Sequence, residues 1–142
     1  MKNKGGLLQF AKFAVVGVSN TAVDWIVYYG LSRLVFTVED QKSLAKLISF
    51  VVAVLNSYLW NTIWTFKKEY QKSLQNSSAT GQKSMIFLRF VVVSLIGWGI
   101  NYIVFKYVLA IMPKPDIVAL VFASGAAVIW NFFANKLWTY KR

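Results

Sequence analysis

The sequence predicts an all-α integral membrane protein of four transmembrane helices, arranged as two tandem helical hairpins. Three observations carry this. The 142-residue chain is 57% hydrophobic and only 15% charged, whereas a soluble domain needs about a quarter charged residues to cover its surface. Its mean hydropathy is +0.50. Four apolar runs each exceed the roughly 20 residues that a spanning helix requires, and the second pair of runs repeats the polar landmarks of the first.

The runs are Phe13–Phe36, Leu44–Phe66, Met85–Met112 and Ile117–Tyr140. The first is too long for the core of a cleavable signal peptide, so it is expected to stay as a span. The links Thr37–Ser43 and Pro113–Asp116 are short, so each pair reads as a tight antiparallel hairpin. The middle link, Lys67–Ser84, is polar, rich in Ser and Gln, and contains Gly81; it is expected to be a flexible or interfacial connector, with residues 69–84 forming a cytoplasmic loop.

Lys2, Lys4 and Lys12 precede the first run. Lys67, Lys68, Lys72, Lys83 and Arg89 surround the middle link, and Lys136, Lys141 and Arg142 end the chain. The other side offers Lys42 and Lys114 against Glu39, Asp40 and Asp116. This bias places both termini in the cytoplasm and the protein, as a multi-pass protein, in the cytoplasmic membrane. The net charge of +11 is thus spent on topology between apolar runs, and nucleic acid is not an expected partner. With no Cys and no His, thiol nucleophiles, Ser-His-Asp triads and Cys/His zinc sites are excluded. No catalytic residue, metal or cofactor is expected, and the reading is of a non-enzyme.

The repeat runs over residues 10–68 and 85–142. Displaced by 77 positions, Phe10-Ala11-Lys12-Phe13 overlays Phe87-Leu88-Arg89-Phe90, and Asp24-Trp25-Ile26-Val27-Tyr28 overlays Asn101-Tyr102-Ile103-Val104-Phe105. Displaced by 74, Asn61-Thr62-Ile63-Trp64-Thr65-Phe66-Lys67 overlays Asn135-Lys136-Leu137-Trp138-Thr139-Tyr140-Lys141. Apolar similarity alone does not produce matched Lys/Arg, Asp/Asn and Trp-Thr-aromatic-Lys. Both copies start and end on one side, so a pseudo-two-fold along the membrane normal is expected.

The basic-aromatic entry to each hairpin, with the Asn61-x-x-Trp64-Thr65-Phe66 and Asn131-x-x-x-Asn135-x-x-Trp138-Thr139-Tyr140 endings, resembles the GtrA-like family over nearly the whole chain. The resemblance implies flipping of a polyprenyl-phosphate-linked monosaccharide across the cytoplasmic membrane, for glycosylation of teichoic acid, O-antigen or another envelope polymer. It also leaves open an anchoring role for a polyprenol-phosphate glycosyltransferase. The first copy departs from the pattern. Asn56 precedes Asn61 by five residues, and Ser57 stands where Asn131 does, so the two copies are not expected to bind identically.

Several polar residues in the spans have both a binding and a structural reading. Asp24, midway along the first run with Asn20, Thr21 and Tyr28 on its face, is expensive in a bilayer and a functional candidate by default. It either contacts sugar or a proton in a hydrated groove, or pairs with an Asn or Lys of another helix. Asn101, its repeat partner, fits an interhelical hydrogen bond as well as a sugar contact. Asn56, Asn61, Asn131 and Asn135 can donate to and accept from sugar hydroxyls, or stitch helices together. Lys12 and Arg89 either hold the phosphate or snorkel at the membrane edge. Lys46 is a third phosphate candidate, at the outer side; Arg33 and Lys106 are expected to snorkel. Trp60, Trp64 and Trp138 suit an aromatic belt or a sugar platform. Gly97, Gly99 and the Ala123–Ala127 run permit close helix approach.

The expected function is therefore translocation with no ATP site, driven by the substrate gradient or a coupled ion, with membrane lipids around the cargo. Four helices make a thin wall, so a homo-oligomer is expected. A small cation or multidrug exporter using Asp24 is the further rival.

Overall fold

The computed structural model describes residues 3–35, 41–75, 79–112 and 116–141. It contains α1 (Asn3–Leu34), α2 (Lys42–Trp60), a π-helical turn at Asn61–Thr65, α3 (Lys67–Leu74), α4 (Ala79–Ile111), α5 (Asp116–Ala134) and a second π turn at Asn135–Thr139. Among the described residues every regular element is helical. Among the described residues four stretches are long and apolar enough to cross a membrane: Gly5–Leu34, Leu44–Thr65, Thr80–Ile111 and Val118–Thr139. Only 11% to 28% of each most apolar window is buried inside the protein, so most of its apolar surface requires a hydrocarbon solvent.

Two helices begin earlier than the apolar runs suggest. The Leu7-Leu8-Gln9-Phe10-Ala11 flank consists of residues that tolerate a helix well, and α1 runs back to Asn3. Likewise α4 starts at Ala79 and absorbs Gly81, beside which an added Cβ would meet nothing within 4 Å. The expected connector also carries α3, whose sequence Lys-Lys-Glu-Tyr-Gln-Lys-Ser-Leu has no Gly or Pro to break it. Its Ser73 is buried and its hydroxyl donates to the Tyr70 carbonyl at 2.8 Å. Most of the two expected short links, and the side chains of Lys2, Lys4, Glu39, Asp40, Lys42, Lys114, Asp116 and Arg142, lie outside the described residues.

The chain divides into two compact units, residues 1–67 and 68–142. In the first, α1 packs on α2. Lipid tails are as apolar as Leu, so helices in a bilayer gain by close approach rather than by escape from solvent. Ala45, Ser49 and Ala53, four apart on α2, are all buried and give α1 that approach around Asp24, while Phe13 and Val16 are buried toward the other end of α1. In the second unit α4 packs on α5, with Ala119 and Ala123 buried on α5 and Ile86, Phe90 and Val93 buried on α4. Each unit has an open end, where its first helix starts and its second finishes, and a closed end where the two are joined.

Candidate functional site

At the open end of the first unit the Asn61 carboxamide turns back on its own helix. Its Nδ2 donates to the Ser57 carbonyl at 2.9 Å and to Ser57 Oγ at 3.2 Å. Side-chain bonds to the preceding turn compete with the regular helix ladder and bend it. Directly after it the ladder widens, and the Phe66 N–H reaches the Asn61 carbonyl, five residues back, at 2.7 Å. Phe66 then leaves helical geometry at φ −111°, ψ 25°, which ends the span. Its ring is fully buried and meets Phe13 edge-on at 6.0 Å, a contact worth about 0.5 to 1.5 kcal/mol beyond burial. Gln9 Nε2 donates to the Thr65 carbonyl at 3.2 Å, and the Lys12 ammonium sits 5.4 Å from the Trp64 ring centre.

The second unit builds the same local geometry from its own residues. Asn135 Nδ2 donates to the Asn131 carbonyl at 2.8 Å, and the Tyr140 N–H reaches the Asn135 carbonyl at 2.9 Å. Tyr140 exits at φ −100°, ψ 6°, and is buried. Arg89 takes the place of Lys12. Its guanidinium lies 5.6 Å from the Trp138 ring centre while Nη1 donates to the Trp138 carbonyl at 3.3 Å. Each cation therefore rests on the Trp of the Asn-x-x-Trp-Thr ending. Lys136 lies 5.3 Å from the Phe132 ring centre.

Buried acceptors without a protein partner cluster at these ends. They are Asn61 Oδ1 and Thr65 Oγ1 in the first unit, and Asn131 Oδ1, Asn135 Oδ1 and Thr139 Oγ1 in the second. Asn20 Oδ1 and Asn56 Nδ2 are in the same condition deeper in the first unit. A buried polar atom left unpaired costs about 1 to 3 kcal/mol, and carboxamide and hydroxyl oxygens suit a ligand rich in hydroxyl donors.

Toward the closed end of the first unit Asp24 meets α2. Its Oδ2 pairs with Lys46 Nζ at 2.6 Å and its Oδ1 accepts from Ser49 Oγ at 2.7 Å. The Ser49 hydroxyl also lies 2.9 Å from the Lys46 carbonyl, but one proton serves one acceptor well, and the carboxylate is the stronger. Both carboxylate oxygens of Asp24 are thus engaged by α2. Lys46 keeps 58% of its side chain exposed and sits 5.7 Å from the Tyr28 ring centre. Thr21 turns inward on its own helix, its hydroxyl donating to the Gly17 carbonyl at 3.2 Å.

Nothing equivalent is possible in the second unit, because Leu120 and Ala123 stand at the repeat positions of Lys46 and Ser49. Asn101 is half-buried on α4 beside the stacked rings of Trp98 and Tyr102, 6.3 Å apart. One residue exchange links the two units. Asn131 lies against Gly97, where an added Cβ would fall 2.6 Å from its Nδ2; Ser57 and Asn20 hold the corresponding positions of the first unit. The carboxamide comes from the second helix in one unit and the first helix in the other.

Residue types and spacing mark the Asn, Lys and Arg residues as candidates but give no sign of the π turns or of Ser49. The doubled Asn-x-x-Trp-Thr-aromatic ending was the available signal for the turns, since a repeated motif at a helix end implies a repeated backbone geometry.

Several known proteins are similar in sequence over most of this chain. A Bactoprenol-linked glucose translocase of Shigella phage SfV is 25% identical over 134 residues, covering 93% of this chain and 94% of that one. The Uncharacterized membrane protein YngA of Bacillus subtilis (strain 168) is 25% identical over 129 residues, 91% of this chain and 77% of the relative. A Dolichol-phosphate mannosyltransferase of Pyrococcus furiosus is 29% identical over 105 residues, 74% of this chain but 26% of that larger protein. Residues 12–140 match the GtrA/DPMS, transmembrane domain family, and with four spans capable of crossing a bilayer the chain is a multi-pass membrane protein that belongs to this family.

Proposed function

We propose that this protein translocates a polyprenyl-phosphate-linked monosaccharide between the leaflets of the cytoplasmic membrane, without chemistry on the cargo. One observation carries the reading. Each unit ends in a cation resting on a Trp ring (Lys12 on Trp64, Arg89 on Trp138), and the helix ending that carries each Trp also carries buried oxygens that lack a protein donor. An anionic phosphate suits the first feature and a sugar's hydroxyls the second. The names of similar proteins, glucose translocases carried on a polyprenyl lipid, support the same reading.

In this reading both termini face the cytoplasm, as the Lys and Arg bias requires, and the two units are copies related along the membrane normal. Arg89 and Lys12 receive the phosphate at the cytoplasmic ends. Asn20, Asn56 and Asn61 in one unit, and Asn101, Asn131 and Asn135 in the other, offer hydrogen bonds to the sugar. Asp24 serves by holding Lys46. Twelve residues of α1 separate Lys12 from Asp24, about 18 Å at 1.5 Å per residue, so Lys46 is a second phosphate station nearer the outer leaflet. The polyprenyl tail stays among membrane lipids. The sugar is delivered for an envelope polymer such as teichoic acid or O-antigen, and the protein works as a homo-oligomer.

A second reading, an anchor for a polyprenol-phosphate glycosyltransferase, is favoured by the match to about a quarter of the mannosyltransferase. Reconstitution separates them. Purified protein in proteoliposomes, given a labelled polyprenyl-phosphate monosaccharide, should equilibrate the sugar between leaflets, as reported by a membrane-impermeant reagent. Asn61→Ala and Arg89→Ala should slow it. Wild-type liposomes indistinguishable from empty ones would overturn translocation by this chain alone and leave the anchor to test.

A further inference from the structure

Between α1 and the end of α2 runs an open groove of about 380 Å³, lined by Val15, Val16 and Ser19 and by Trp60, Ile63 and Trp64. That size lies at the lower end of the range for small-molecule sites, roughly 300 to 1,000 Å³. The groove lies within the stretches Gly5–Leu34 and Leu44–Thr65, so hydrocarbon, not water, is the phase that meets it. Trp60 and Trp64, four apart, both present their side chains to the groove. At the mouth, Lys12 lies one turn before Val15 and Val16, its ammonium over the Trp64 ring.

An apolar slot in the bilayer with one cation at its end has the charge pattern of a lipid phosphate: tail in the slot, head on the lysine. Resting on the translocase reading, we propose that this groove seats the first isoprene units of the polyprenyl phosphate, with Lys12 as its phosphate ligand. The flat trisubstituted double bonds and methyl branches of a polyprenyl chain offer the two indoles broad faces that a saturated acyl chain lacks. The groove described is in the first unit. Ile96 and Ala134 stand at the repeat positions of Ser19 and Trp60, which replaces the small floor residue and removes one indole.

The test uses the full chain in phosphatidylcholine nanodiscs and farnesyl phosphate carrying a diazirine on its first isoprene unit. Cross-links are expected within residues 15–19 and 60–64, competed by undecaprenyl phosphate but not by phosphatidylglycerol. Lys12→Gln should weaken competition about tenfold, the value of one charge-assisted contact. Ser19→Phe, or Val15→Trp should the first not fold, fills the groove and should abolish these cross-links with thermal unfolding unchanged. Labelling spread over all exposed helix faces, or equal competition by phosphatidylglycerol, would overturn the proposal. The same variants in the translocation assay separate the two ideas. Groove labelling without translocation keeps the lipid site and sinks the translocase. Translocation untouched by a folded groove-filled variant does the reverse.

Discussion

Gly97→Ala tests how closely the second hairpin is packed. The new Cβ would lie 2.6 Å from Asn131 Nδ2 and 2.8 Å from its Cγ, about 1 Å inside the optimal separation of non-bonded heavy atoms. Either the carboxamide leaves its rotamer or α4 moves off α5, where buried Val93 and Ala123 sit. Overpacking of this kind costs about 1 to 3 kcal/mol. Asn131→Ser alone removes a carboxamide whose Oδ1 has no protein partner, so its cost should be below about 1 kcal/mol. In the double variant the clash is gone, and the small residue on the second helix copies Ser57 of the first unit. The cycle should therefore show a favourable coupling of about 1 to 2 kcal/mol, well outside the roughly 0.5 kcal/mol of independent sites. Thermal unfolding of the four proteins in one detergent, followed by tryptophan fluorescence, measures it. An equal Gly97→Ala penalty in both backgrounds would refute the close-contact reasoning.

Further outcomes follow from the same geometry. Asp24→Ala strands the Lys46 ammonium and should destabilise by about 1 to 3 kcal/mol, whereas Asp24→Ala with Lys46→Leu, the residue type at the matching position of the second unit, should recover part of it; unfolding in detergent reads both. Asn61→Ala and Asn135→Ala each delete the bond to the preceding turn and should lower stability by about 1 kcal/mol, with slower translocation on top. Arg89→Lys keeps the charge but loses the fork that bonds the Trp138 carbonyl while stacking on its ring. It should slow translocation in proteoliposomes less than Arg89→Ala does, and equal loss in both would deny the guanidinium any specific role.

The four spans were legible because a bilayer asks one question of a sequence, whether about 20 consecutive residues can leave water, and Leu44–Phe66 answers it without reference to any neighbour. The family ending was legible for a similar reason, since Asn61-x-x-Trp64-Thr65-Phe66 and its second copy are local and carry their chemistry in residue type. Helix starts were less so: α1 and α4 extend back to Asn3 and Ala79 through Gly5, Gly6 and Gly81, residues of poor helix propensity that give no local sign of a helix start. What only the tertiary structure decided was pairing. From sequence, Asp24 had a sugar or proton contact and a packing contact as alternatives; the approach of α2 over Ala45, Ser49 and Ala53 brings Lys46 and Ser49 to its two oxygens. The cations laid on Trp64 and Trp138 and the groove beneath Lys12 are likewise products of two helices in contact. Hydropathy is a property each residue carries alone, whereas a site exists only when packing sets residues far apart in the chain within bonding distance.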